Sequence, residues 1–267
     1  MRARAVNQRS GTIMGHAAPL SLLHPPTDAC EAPGGAHVDA LARRLGTLEL
    51  FSQVGRADLC QLAQGARPRR LDPGQSLWFA GEHANWFALI ESGVVQIRRM
   101  TPTGEGILVG LFRRGEAVGL AAALEGGAFP ADAIALGEPA DVLSIRVEAL
   151  RRALGDSIAV SRAINGALLR HTVALRAKID IVSAGSVPRR LAALMHYLIG
   201  RFGRPTATGS IIVDVHLGRE EISQLVSARV ETVIRILSRW QKAGWIASRP
   251  GRIEIMRPDM LERIVDS

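Results

Sequence analysis

Two short helical patterns with a tight break between them constrain this chain more than any other feature. They occupy the stretch EEISQLVSARVETVIRILSRWQKAGWI, residues 220–246. In the second pattern apolar side chains recur at steps of three, three, one and three, which places them on one stripe of a 3.6-residue helix. These apolar positions are Val230, Val233, Ile236, Leu237 and Trp240. The first pattern buries Ile222, Leu225 and Val226 in the same way, so the stretch predicts a helix-turn-helix.

The opposite face of the second helix carries side chains suited to DNA. Arg235 can donate two hydrogen bonds to O6 and N7 of a guanine, and Glu231 can accept one from N4 of a cytosine. Ser227 is expected to cap this helix by accepting from a backbone N–H two or three residues further on. Neighbouring cations suit phosphates, which fix register without carrying sequence information. The candidate DNA-binding residues are Arg219, Ser227, Arg229, Glu231, Thr232, Ile234, Arg235, Arg239 and Lys242.

The flanking segments extend this pair of helices into a larger domain. A helical pattern, RRLAALMHYLIGRFG, precedes it, and SIIVDVHL alternates as a strand with Ile211, Val213 and Val215 on one face. After the helices, IASRPGRIEIM contains two alternating pieces around a Pro-Gly turn, which is typical of a hairpin. In winged helix-turn-helix domains the second helix lies in the major groove and the first crosses the DNA backbone. We predict such a domain over residues 184–267.

The N-terminal half has a different pattern. From about residue 45 to residue 143, half-alternating segments such as GILVGLF are separated by closely spaced glycines, which indicates short strands and turns. Regular spacing of this kind favours an antiparallel sandwich or barrel. We assign this β domain to residues 41–155. Residues 1–40 are rich in Pro, Gly and Ala without periodicity, so we expect a flexible extension there.

A long helix is predicted between the two domains, over residues 156–183. The segment contains no proline and a single glycine, and it would span roughly 40 Å. Its apolar seam needs a partner, which is either the β domain of the same chain or a second copy of the helix. The candidate seam residues are Val160, Ile164, Leu168, His171, Leu175, Ile179 and Val182.

A family resemblance decides between these partners. The stretch GREEISQLVSARVETVIRILSRWQKAGWI resembles the DNA-binding signature of the Crp–Fnr (cyclic-AMP receptor protein/fumarate–nitrate regulator) family of bacterial transcription regulators. LDPGQSLWFAGEHANWFALIESGVVQIRR and RRGEAVGL resemble the effector-sensing β-roll of that family. The resemblance covers about residues 45–267. It implies an α+β fold with an N-terminal antiparallel β-roll of the cupin-like jelly-roll type, a long dimerisation helix and a C-terminal winged helix-turn-helix.

The resemblance also implies how such a molecule works. It implies a homodimer whose two winged helices bind a pseudo-palindromic site on double-stranded DNA, with Glu231 and Arg235 on base edges and RNA polymerase as a further partner. The Fnr branch of the family usually carries a serine where this chain has Ile234. An apolar side chain there can meet a thymine methyl but cannot donate a hydrogen bond.

The segment that binds cyclic nucleotides in the family lacks its polar groups here. Family members carry a glutamate after a glycine and, some ten residues later, an arginine followed by serine or threonine. The aligned run is VGLAAALEGGAFPADAIA, which places Leu120 at the glutamate position and Pro130 and Ala131 at the arginine–serine positions. A buried phosphate without a cation is costly. We therefore expect an effector other than cyclic AMP.

The residues also bear on other cofactors and functions. The two cysteines cannot supply four thiolates for an iron–sulfur cluster. No cofactor is predicted, and a heme-dependent gas or redox sensor is the alternative, with His83, His171 and His196 as candidate axial ligands. A metal-dependent cupin-like barrel enzyme needs several converging histidines, and residues 45–143 contain His83 alone, so we expect no enzyme and no metal.

The net charge and the lengths of the apolar runs indicate which partners and which cellular location to expect. The formal net charge is +8, and all cationic side chains except two lysines are arginines. This excess is compatible with phosphate contacts and equally with a solvated surface rich in arginine. No apolar run approaches the roughly 18 residues that a membrane span needs, and the N-terminal segment has no apolar core of the signal-peptide type. We expect a cytoplasmic protein without a membrane partner.

Overall fold

The computed structural model describes residues 35–101, 106–249 and 251–266. The helices are α1 (Gly35–Gly46), α2 (Arg56–Gln64), α3 (Leu120–Glu125), α4 (Val147–Asp156), α5 (Ile158–Ser183), α6 (Val187–Phe202), α7 (Arg219–Val226), α8 (Val230–Lys242) and α9 (Pro258–Asp266). The strands are β1 (Ala66–Leu71), β2 (Ser76–Trp78), β3 (Trp86–Ser92), β4 (Val94–Met100), β5 (Gly106–Arg113), β6 (Ala117–Val118), β7 (Asp132–Ala135), β8 (Ala140–Arg146), β9 (Gly203–Pro205), β10 (Ile211–Val213), β11 (Ile246–Arg249) and β12 (Arg252–Ile255). None of these helices is long and apolar enough to cross a membrane.

The first eight strands form the predicted β-roll. One four-stranded sheet has the order β1-β8-β3-β6, and the other has the order β2-β7-β4-β5, with antiparallel pairing in both. Strand β3 shows why both faces of its sheet are apolar. Ala88 and Ile90 lie in the core between the sheets, whereas Phe87 and Leu89 pack against the helices that cover the outer face. Successive side chains of a strand point to opposite faces, so a strand covered on both sides is continuously apolar.

The segment before the roll is helical where a flexible extension was predicted. Helix α1 begins at Gly35 and buries Val38, Leu41, Ala42 and Leu45 against the roll. These residues follow the i, i+3, i+4, i+7 spacing of an amphipathic helix, so the prediction that residues up to 40 lack structure is wrong from residue 35 onwards. Residues 1–34 lie outside the described part of the chain.

Helix α5 confirms the predicted long helix and contains 26 residues. Ser157 caps its N-terminus, because the side chain accepts a hydrogen bond from the Val160 backbone N–H at 3.3 Å. The Ser157 hydroxyl also donates to Asp58 of α2 at 2.5 Å, which ties the start of α5 to the roll.

The C-terminal domain has the architecture of a winged helix-turn-helix. Strands β9, β10, β12 and β11 form an antiparallel sheet in the order β11-β12-β10-β9, and β11 and β12 are the two strands of the predicted wing. Helices α6, α7, α8 and α9 pack together over a core that includes Trp240, which is 2% exposed. Strand β9 and helix α9 were not predicted from the sequence.

This domain is docked on the β-roll of the same chain. Leu108 and Leu111 of β5 are buried in the same apolar cluster as the core of the C-terminal domain. At the other end of the contact, the imidazole of His216 lies 3.3 Å from a carboxylate oxygen of Glu138 in the roll. Gly137 and Gly251 enclose His216 so closely that a Cβ on either would lie about 2 Å from it. The two domains are therefore in direct contact along β5 and along the β7–β8 turn.

Candidate nucleic-acid interface and effector cavity

Helix α8 separates a buried apolar face from an exposed polar face, as the sequence predicts. Its buried residues are Val233, Ile236, Leu237 and Trp240. Glu231, Arg235 and Arg239 lie on the exposed side, and Ile234 beside them is 44% exposed. The buried face fixes the helix on the domain core, so its outer side chains are presented from a rigid support.

The turn between α7 and α8 differs from the prediction at Ser227. This residue adopts a left-handed conformation, with φ 50° and ψ 56°, and it ends α7 rather than capping α8. Helix α8 begins two residues later than a Ser227 cap requires, and Arg229 occupies the N-cap position without a side-chain capping bond. The left-handed residue turns the chain sharply enough for the two helices to pack. The Ser227 side chain is exposed.

The predicted DNA-contacting cations fall into two groups. Within the described residues, no hydrogen bond or ion pair engages the charged groups of Arg229, Arg235, Arg239 or Lys242. Arg219 instead donates to the hydroxyl of Ser248 in the wing at 3.2 Å. The exposed face of α8 thus has unneutralised cationic groups available for anions.

Cations from two other helices hold the C-terminal end of α7. Arg190 of α6 donates to the carbonyl oxygens of Val226 and Ser227, each at 2.9 Å. Lys178 of α5 donates to the carbonyl oxygens of Gln224 at 3.2 Å and Leu225 at 2.5 Å. The last carbonyls of a helix have no partner within the helix, so these bonds satisfy them and fix α7 relative to α5.

A cavity of about 150 Å³ lies where β5, α5, α6 and α7 meet. Its wall is mainly apolar, and His171, Lys178, Tyr197 and Arg201 are among its polar residues. Burial lowers the pKa of Lys178 to about 8. It also lowers the pKa of His171, although the hydrogen bond with the Ala117 carbonyl opposes that effect. The cavity therefore adjoins both the roll and the helix-turn-helix, and a molecule bound there would touch both.

The aligned nucleotide-binding segment is filled by apolar side chains. Leu120 is fully buried, and the ring of Phe129 stacks on Trp78 with 4.0 Å between centroids. The indole N–H of Trp78 donates to the carbonyl oxygen of Ala131 at 3.0 Å. Trp78 thus fills the roll interior. Leu120, Pro130 and Ala131 provide no charged group for a cyclic phosphate.

The residues of the predicted dimer seam differ in their exposure in the single chain. Val160 and Ile164 are buried in the core that the roll forms with its covering helices, so their assignment to a dimer contact is wrong. The reason is that the first half of α5 is covered by its own domain, whereas the second half extends beyond that cover. Leu175 and Ile179 are 53% and 61% exposed. Of the other seam positions, Leu168, His171 and Val182 are half-buried.

Of the three candidate heme ligands, one lines the cavity. His83 and His196 are exposed, and His171 alone lines the cavity. Its Nε2 atom lies 2.6 Å from the Ala117 carbonyl oxygen, so a hydrogen bond engages this nitrogen. The cavity is also smaller than the roughly 300–1,000 Å³ of pockets that hold larger ligands. Among the described residues no group of three or more His, Cys, Asp or Glu side chains could hold a metal ion.

Two known sequence families match the two halves of the chain. Residues 68–157 match the cyclic nucleotide-binding domain, and residues 189–264 match the Crp-like helix-turn-helix domain. Among similar proteins, the global nitrogen regulator of Synechococcus elongatus is 25% identical over 226 residues, covering 84% of this chain and 98% of that protein. The CRP-like cAMP-activated global transcriptional regulator of Mycobacterium tuberculosis is 26% identical, covering 85% of this chain and 99% of that protein.

A solved structure and a third relative are also similar to this chain. A CRP-family transcriptional regulator from Thermus thermophilus superposes with a TM-score of 0.64, at 24% identity, over 74% of this chain and 97% of that one. The fumarate and nitrate reduction regulatory protein of Escherichia coli K12 is 26% identical over 198 residues, covering 74% of this chain and 78% of that protein. Most of the β-roll lies in the residues that match the cyclic nucleotide-binding domain, and the winged helix-turn-helix lies in those that match the Crp-like helix-turn-helix domain. The chain belongs to the Crp–Fnr family of transcription regulators.

Proposed function

We propose that the protein is a homodimeric transcription regulator that binds a specific DNA sequence through helix α8. The observation that carries this proposal is the exposed face of α8, where Glu231 and Arg235 are available on a helix whose other face is fully packed. A guanidinium in this position can read a guanine through two hydrogen bonds, and such a contact contributes about 1–3 kcal/mol of discrimination. Glu231 can accept from the N4 amino group of a cytosine.

The other candidate residues have supporting roles in this proposal. Arg229, Arg239 and Lys242 contact phosphates, and Ile234 packs on a thymine methyl group. Arg219 contacts phosphate from the first turn of α7, beside the wing, and Ser227 and Thr232 add short polar contacts. The phosphate contacts supply affinity for any duplex, whereas the Glu231 and Arg235 contacts supply selectivity.

The exposed second half of α5 supports self-association. Leu169, Val173, Leu175 and Ile179 are each more than half exposed in the single chain. Apolar side chains concentrated on one helix are typical of an interface, and a second copy of α5 would cover them. A two-fold dimer presents two α8 helices to half-sites about 34 Å apart on a pseudo-palindromic site. It acts in the cytoplasm and meets RNA polymerase at its promoters.

The effector in this proposal is not a cyclic nucleotide. The absence of polar groups at Leu120, Pro130 and Ala131 supports this, because a cyclic phosphate placed there would have no cationic partner. The mostly apolar wall of the 150 Å³ cavity suits a small apolar molecule instead. Cyclic AMP at 100-fold excess over a dissociation constant would add about 2.7 kcal/mol of stability. We expect no change in melting temperature on its addition.

Selection of duplexes from a random pool tests the DNA-binding proposal. We expect the enriched sequences to share two inverted half-sites whose centres are about 10–10.5 base pairs apart. Scrambling one half-site should weaken binding far more than scrambling flanking sequence. Enrichment of no sequence, or of single half-sites without symmetry, would contradict the proposal.

A further inference from the structure

Arg189, at the start of α6, lies outside the helix-turn-helix but shares a surface cleft with it. The cleft is lined by Ser186, Pro188 and Arg189 on one side and by Arg239 and Trp245 on the other. Arg239 belongs to the exposed face of α8, four residues after Arg235 and therefore one turn along the same side. The cleft is thus continuous with the proposed DNA-reading face.

The charge in this cleft is unbalanced. Among the described residues, two arginines and no acidic residue line it. Within the described residues, neither Arg189 nor Arg239 has a hydrogen-bond acceptor or an ion-pair partner. Two neighbouring cations that lack counter-charges repel each other and favour an anion between them. Guanidinium groups are well matched to phosphate oxygens.

The adjacent arginine, Arg190, differs from Arg189 in having several hydrogen-bond partners. Arg190 donates to three backbone carbonyl oxygens, those of Gly185, Val226 and Ser227. It is therefore a structural residue that holds α6 to the end of α7. Arg189 is half-buried, makes no such bond within the described residues, and lines the cleft that it shares with Arg239.

We infer that Arg189 and Arg239 together bind a backbone phosphate of the DNA, beyond the bases that α8 reads. The inference rests on the proposed DNA-binding function and extends its contact surface to the start of α6. Arg189 provides affinity without sequence preference, because a phosphate is the same at every position. Each protomer of a dimer contributes one such pair of arginines.

The salt dependence of DNA binding tests this inference. Affinity of the full chain is measured by fluorescence anisotropy for a selected duplex and a random duplex at several salt concentrations. Arg189→Gln removes one of the two cations at this phosphate in each protomer, so the slope of log affinity against log salt should fall in magnitude by at most about 0.9 per contact. At 0.15 M salt this corresponds to an affinity loss of at most about fivefold per contact, equal for both duplexes.

Matched variants separate a phosphate contact from a structural effect. Arg189→Lys keeps the charge and should retain most of the slope, and Arg152→Gln, an exposed arginine on α4, should leave both slope and affinity unchanged. Arg190→Gln should lower the melting temperature, whereas Arg189→Gln should not. An unchanged slope for Arg189→Gln, or a loss confined to the selected duplex, would overturn the inference. Failure of the wild-type protein to prefer the selected duplex would instead overturn the proposed function.

Discussion

Lys178 and Lys242 are the two lysines of the chain, and their surroundings are opposite. Lys242 is exposed at the end of α8, and Lys178 is enclosed where the roll, α5 and α7 meet. Burial lowers the pKa of Lys178 to about 8, although the two carbonyl oxygens of α7 stabilise its ammonium form. The residue therefore joins α5 to the DNA-binding domain at a cost in desolvation.

This environment predicts a pH dependence of stability. Between pH 8 and the usual lysine value of 10.5, folded Lys178 has lost a proton that the unfolded chain still binds. Unfolding then takes up a proton, so the free energy of unfolding should rise with pH across this interval. Denaturant titrations from about pH 7.5 to about pH 9.5 measure the rise. Lys178→Met should remove this contribution, and Lys242→Met should keep it. A wild-type curve that matches Lys178→Met would contradict the lowered pKa of Lys178.

Single residues also show where sequence reasoning fails. The apolar positions of α8 were predicted correctly because burial imposes a helical period on them. The role of Ser227 was predicted wrongly, because serine is common both at helix N-caps and in tight turns. Only the left-handed backbone at this residue distinguishes the two roles, and that conformation is set by how α7 and α8 pack. A two-residue shift in a helix start is within the usual uncertainty of helix boundaries.

At the scale of elements, the two halves of α5 have different surroundings. Its first half is covered by the roll, and its second half exposes Leu175 and Ile179. The sequence alone does not show where the contact between α5 and the roll ends, because the same apolar stripe continues through both halves of the helix. This is why Val160 and Ile164 were assigned to the dimer. Helix α1, by contrast, has a complete amphipathic pattern that could have been found from the sequence.

The exposed half of α5 gives a direct prediction about assembly. Ile179→Glu should convert the dimer to monomers at micromolar concentration, because burying an isoleucine contributes about 1.5–3 kcal/mol and two copies are lost. The expected weakening is at least about a hundredfold, measured by sedimentation equilibrium. Met256→Glu changes an exposed apolar residue of the C-terminal domain and should leave the dimer intact. An Ile179→Glu protein that sediments as the wild type does would place the interface elsewhere.

At the scale of the whole molecule, polar contacts join the roll and α5 to the DNA-binding domain. Lys178 reaches α7, Arg201 of α6 pairs with Glu116 of the roll at 2.6 Å, and Glu138 lies between His216 and Arg252. The architecture was predictable because each domain has its own hydrophobic period and turn spacing. These contacts were not predictable, because they pair residues 46 to 114 positions apart in the chain, and no local sequence pattern connects such residues.

The central claim is that two α8 helices read base edges from the two halves of one dimer. The most direct measurement is the affinity of Arg235→Ala for a selected duplex and for a random duplex at one salt concentration. At about 1–3 kcal/mol per guanine contact and two contacts per dimer, affinity for the selected duplex should fall at least about 30-fold. Affinity for the random duplex should change little. An equal loss on both duplexes would mean that Arg235 contacts phosphate alone, and the claim would be wrong.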